Sequence, residues 1–72
     1  MNTTNKNITT TTKLIETLNQ VIPATQAWDK KAGLLAARDY CLAAVRELHR
    51  GNNDAAGRYL EAAHRCIKEV CA

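Results

Sequence analysis

The 72-residue chain contains no Phe and no Ser, and only one Pro, one Trp, two Tyr and three Gly. Each shortage excludes something. With Trp28, Tyr40 and Tyr59 as the only aromatics, no core of large rings can form. With Ser absent and most Thr in the first twelve residues, a hydroxyl nucleophile beside a general base is not expected. Three glycines do not make a phosphate-cradling loop. No apolar run approaches the roughly 20 residues that cross a bilayer, and the N-terminus lacks the apolar core of a signal peptide. A membrane partner is therefore not expected, and a reducing cytoplasmic setting is. Ten Lys and Arg against seven Asp and Glu leave a mild net charge of +3. No strand-type alternation competes anywhere.

Cysteine is scarce in a telling way. Cys41, Cys66 and Cys71 form no CxxC, and His49 and His64 form no HxxxH, so a metal site is not expected and no cofactor is implied. Cys41 and Cys66 read as small buried hydrophobes, and Cys71 as a terminal thiol. His49 and His64 lie among Arg and Glu and read as solvated helix surface. The chain is expected not to be an enzyme.

What is abundant is alanine, at twelve residues. Alanine buries little area, so helix contacts built from it are thin but close. A core of this size is marginal alone, and recruiting a second copy is a common remedy.

The pattern predicts an all-α protein. Residues 1–12, with six Thr and three Asn, have almost nothing to bury and are expected to form a disordered tail. Residues 13–72 form one small helical domain. A short helix is predicted over about 13–22, with Leu14, Ile15, Leu18, Val21 and Ile22 on one face. Pro23 then interrupts it. A second helix is predicted from about 24 to 50, with Gly33 as a point of bending or breakage. Gly51-Asn52-Asn53-Asp54 is a turn, with Gly51 suited to a left-handed C-terminal cap and Asn52, Asn53 or Asp54 suited to cap the next helix. A third helix over about 54–71 closes a helical hairpin.

The third helix is almost ideally amphipathic, with Tyr59, Ala63, Cys66, Ile67 and Val70 on its apolar half. Against it the second helix offers a stripe of Ala27, Leu34, Ala37, Cys41, Ala44, Val45 and Leu48. These residues are the predicted hairpin core. Glu61–Arg65, Arg65–Glu69 and Glu47–Arg50 are spaced for ion pairs on solvated faces.

The segment from Gly51 to Ala63 resembles the turn and second helix of a tetratricopeptide repeat. Gly51, Ala56, Tyr59 and Ala63 match that family's spacing of turn glycine, alanine, aromatic and alanine. Glu47 stands where the family carries an aromatic, and one repeat is visible. The resemblance implies small residues at a close helix crossing.

Trp28, Leu35 and Leu42 form a second line on the middle helix, at seven-residue spacing. It needs its own cover, from the first helix or from another chain. Lys31 and Arg38 lie beside it as a rim. The expected function is a small non-enzymatic protein–protein interaction module. It is expected to be a homodimer and to act by binding, as an adaptor or an inhibitor of the kind phages and mobile elements encode. The alternative is a nucleic-acid-binding or regulatory protein using the basic side of the second helix, from Lys30 to Arg50. The acids Asp29, Asp39 and Glu47 among those bases disfavour it.

Overall fold

The computed structural model describes residues 3–71, and for Thr3 and Thr4 the backbone alone. The described residues form three α-helices and no strand: α1 (Thr3–Ala24), α2 (Trp28–His49) and α3 (Asn53–Cys71). A 22-residue helix is about 33 Å long. The body measures 39 × 19 × 17 Å, so the helices run along its long axis. Helix α2 is central and packs on both neighbours, while α1 and α3 scarcely meet.

The turn between α2 and α3 forms as the residues dictate. Gly51 adopts φ 77°, in the left-handed region. Its N–H bonds the Leu48 carbonyl at 3.1 Å, and the Asn52 N–H bonds the Glu47 carbonyl at 2.9 Å. This pair of bonds is a Schellman motif, which closes the carbonyls left open at a helix end. Helix α3 starts at Asn53, and the Ala56 N–H bonds the Asn52 carbonyl at 3.1 Å. The side chains lock the same corner, because Glu47 accepts from Asn52 Nδ2 at 3.0 Å and from Arg50 Nη1 at 3.3 Å.

Between α2 and α3 the seam is made of small side chains. Ala37, Cys41, Ala44 and Ala63 are fully buried, and Ala56 is 1% exposed. Leu34 and Leu48 are buried beside them, and Leu18 and Ile22 close the core from α1. Leu14, Ile15, Leu35, Cys66, Ile67 and Val70 pack around this cluster, partly buried.

Four expectations change. The first helix is more than twice the predicted length, so residues 3–12 are helix and not tail; Met1 and Asn2 lie outside the described residues. Packing outweighs the poor helix propensity of Thr here. Thr11 is 3% exposed, on the same line as Leu18 and Ile22, and Ile8 is half-buried. The hydroxyls of Thr9 and Thr10 donate to the carbonyls four residues back, Asn5 and Lys6.

Pro23 does not end α1. It sits inside the last turn, and the helix stops one residue later. The proline has no N–H for the Asn19 carbonyl four residues back, and because the helix ends one residue later there is no further helix for it to kink. Thr25 closes that end, with its N–H on the Ile22 carbonyl at 3.1 Å and its hydroxyl on the Val21 carbonyl at 2.8 Å. Helix α2 consequently begins at Trp28, and Ala27 is its extended, exposed N-cap instead of a core residue.

Tyr59 is 37% exposed instead of buried, and its ring lies 6.4 Å from that of Tyr40 on α2. Alanine on both sides of the seam brings the helices too close to admit a ring, so the two tyrosines cover the seam from outside. Val45, Cys66, Ile67 and Val70 are half-buried at its margins.

Gly33 neither bends nor breaks α2, which is continuous across it. Its role is close approach: a Cβ built there would meet Val70 Cγ2 at 2.6 Å and the Cys66 carbonyl at 4.0 Å. Two effects of Gly33→Ala therefore oppose each other. The helix gains about 1 kcal/mol in propensity. A clash against a stiff, β-branched Val costs about 1–3 kcal/mol. Urea unfolding is expected to show Gly33→Ala less stable than the parent by about 0–2 kcal/mol, and stabilising by about 1 kcal/mol when introduced into Val70→Ala. A single variant more stable than the parent contradicts the close approach.

Candidate interaction face on the second helix

Helix α2 has a buried side and an outer side. Residues 28, 35 and 42 recur at seven-residue spacing, which drifts by only about 20° per step on an α-helix. Eighteen residues make five full turns, so Arg46 falls on the same line as Trp28, about 27 Å away. Ala32 and Asp39 lie within 40° of that line. The outer side therefore reads Trp28, Ala32, Leu35, Asp39, Leu42, Arg46.

Trp28 is 77% exposed and Leu42 44% exposed, and Ala32, Asp39 and Arg46 are exposed as well. Leu35 is half-buried and belongs in part to the core, because α1 reaches across to it. The three residues predicted as one line thus divide, with the two ends open and the middle shared. Val21 of α1, at 41% exposure, adds apolar surface at the end of the neighbouring helix.

The predicted rim also divides. Arg38 Nη1 donates to Asn19 Oδ1 on α1 at 3.0 Å, and both Arg38 and Lys31 are half-buried. Arg38 is a clasp between α1 and α2 that fixes their antiparallel register. Counting from it in opposite directions places Leu42 roughly level with Ile15, and Arg46 with Thr11. The basic side of α2 is accordingly interrupted at Arg38.

Of the ion pairs anticipated on the helix surfaces, Glu47–Arg50 forms at 3.3 Å. Glu61, Arg65 and Glu69 form none among the described residues. Arg46 and Asp39 likewise have no hydrogen-bond or ion-pair partner among the described residues.

Elsewhere the surface is shallow. An open cleft of about 300 Å³ lies between the start of α2 and the end of α3, lined by Asp29, Lys30, Gly33, Cys66, Glu69 and Val70. Among the described residues no three His, Cys, Asp or Glu side chains converge as a metal site would require, and no helix is long and apolar enough to cross a membrane.

Sequence reasoning missed Ala32, Asp39 and Arg46 as members of the outer face. The usable signal was the five-turn repeat from Trp28 to Arg46, hidden because one end is aromatic and the other charged. It also missed the cleft, whose lining joins the start of α2 to the end of α3, residues far apart in the chain.

Set against models of known protein families, curated proteins and solved structures, the chain matches none. Of the four positions that resemble a tetratricopeptide repeat, Gly51 forms the turn, Ala56 and Ala63 are buried, and Tyr59 is exposed.

The three thiols occupy three environments, with Cys41 fully buried, Cys66 half-buried and Cys71 exposed. Burial pushes the Cys41 thiol above its ordinary pKa of 9.0, because the thiolate would lose its hydration. Thiolate is the reactive form. At pH 8 an aromatic disulfide reagent is expected to label Cys71 fast, Cys66 more slowly, and Cys41 only as the chain opens, with urea collapsing the phases into one. Three equally fast thiols in the native protein contradict the packing. The same shift makes stability fall as pH rises past about 9, because the unfolded thiol ionises first.

Proposed function

We propose that this protein is a non-enzymatic helical interaction module that acts by burying the outer face of α2 against another protein. One observation carries the reading: Trp28, the largest apolar side chain, is 77% exposed on the same helix whose opposite side is fully buried. Trp and Arg are the residue types most enriched at interface anchor points, and this face presents one at each end. An exposed Trp flanked by Leu and Ala, left outside a core that has little apolar area to spare, is surface made for contact. As an adaptor or inhibitor working in the cytoplasm, such a module needs no pocket and no catalytic group.

The nucleic-acid reading is weaker on the same ground. Arg38 is held by Asn19, and Asp39 stands among the remaining bases, so α2 lacks the uninterrupted basic stripe that phosphates favour.

Photo-crosslinking inside the source cell tests the proposal. A photoreactive residue in place of Leu42 is expected to give a discrete covalent adduct with a protein. One in place of Glu61, on the solvent side of α3, is expected to give none. Absence of an adduct at Leu42, or equal adducts at both sites, overturns the reading.

A further inference from the structure

We infer that the outer face of α2 is occupied by the same face of a second copy, the two helices lying antiparallel about a two-fold axis that crosses the outer face level with Ala37, which itself lies on the buried side. This inference rests on the interaction reading above and names its partner.

The argument is the symmetry of the face itself. A two-fold contact is self-complementary, so each residue must meet what its mirror position offers. Trp28 and Arg46 are equidistant from Ala37. So are Ala32 and Leu42, and so are Leu35 and Asp39. Antiparallel pairing about that point brings the indole of one copy level with the guanidinium of the other, twice. A guanidinium over an exposed indole is attractive. Arg46 has no ion-pair partner among the described residues to give up. The same pairing sets the exposed Ala32 level with the exposed Leu42 of the second copy, small beside large. The two lie on opposite flanks of the line, so they interleave without collision. A parallel pairing would stack Trp28 on Trp28 and Arg46 on Arg46. It would also align the helix dipoles, which an antiparallel pairing opposes favourably.

One residue works against the pairing. Asp39 lies near the axis, so the two Asp39 carboxylates come within about one turn of each other. Like charges at that distance repel, and more strongly as water leaves. This repulsion makes the dimer weak and reversible, and it supplies a test that a merely hydrophobic contact would fail.

Sedimentation equilibrium on the purified chain with reductant, over a range of concentrations, gives the dissociation constant. Trp28, the only tryptophan, reports in parallel through its emission, which moves to shorter wavelength as the dimer forms. Trp28→Ala and Arg46→Ala are each expected to weaken the dimer roughly 5- to 30-fold, since each removes both aromatic–cation contacts. The double variant is expected to be little weaker than either single one, the signature of coupled partners. Asp39→Asn is expected to tighten the dimer several-fold. All three side chains are exposed, so below the dissociation constant, where the chain is monomeric, helix content and urea midpoint should not change.

A monomer at every concentration overturns the inference, while an adduct with a different protein at Leu42 would leave the interaction reading standing. A dimer broken by Leu42→Glu but indifferent to Trp28→Ala, Arg46→Ala and Asp39→Asn places the second copy on this face in another register, and that too overturns the inference.

Discussion

Ala37, Cys41 and Ala44 on α2, with Ala56 and Ala63 on α3, are all at 1% exposure or less. Each contributes little apolar area. Together they let two long helices approach until backbone atoms shield one another, and close packing supplies many weak dispersion contacts. Much of the architecture follows from that short separation. Tyr40 and Tyr59 are left outside the seam as an exposed ring pair. Gly33 leaves room for Val70 where α3 closes on α2. The Schellman turn at Gly51 has the tight geometry that two nearby antiparallel helices require.

A seam of small residues buries little, so the hairpin needs a third element. Helix α1 supplies Leu18 and Ile22, the larger side chains that α3 does not provide at the centre. It lies beside α2 and hardly touches α3. Its own sequence is a poor helix former over the Thr-rich half, and it holds its shape by lying along α2. The Arg38–Asn19 clasp sets where it lies. Covering Leu35 but not Leu42 or Trp28, α1 leaves the outer side of α2 partly open, and the candidate interaction face is what remains. Core and face are thus two sides of one helix. This is why α2 lacks the one-sided polarity that α3 displays so clearly.

The parts legible in the sequence were those where local chemistry and periodicity agree. Helix α3 has both, and the hairpin turn has glycine at the one position whose φ is positive. The buried stripe Leu34, Ala37, Cys41, Ala44 and Leu48 follows from spacing alone. The misreadings share a cause, since each concerned a residue whose local preference was overruled from elsewhere in the chain. Residues 3–12 favour disorder by composition, and the buried Thr11 with the half-buried Ile8 ties that half of α1 to the rest of the molecule. Pro23 disrupts helices in general, but near a helix end it removes little. Gly33 weakens a helix in isolation and makes room where Val70 approaches. Tyr59 has the size and position of a core residue, and alanine across the seam excludes it. At the candidate face, Trp28 and Leu42 were legible as apolar residues at heptad spacing. Arg38 was assigned to its rim because nothing local announces a partner 19 residues away.

The central claim is that close approach along the small-residue seam holds the molecule together. Equilibrium unfolding of Ala63→Leu beside Glu61→Leu tests it most directly, because both place leucine on α3, one in the seam and one facing solvent. A loss of about 1–3 kcal/mol or more for Ala63→Leu, with a change within about 0.5 kcal/mol for Glu61→Leu, is the result the account predicts. Equal effects of the two substitutions, or a gain at Ala63, would contradict it.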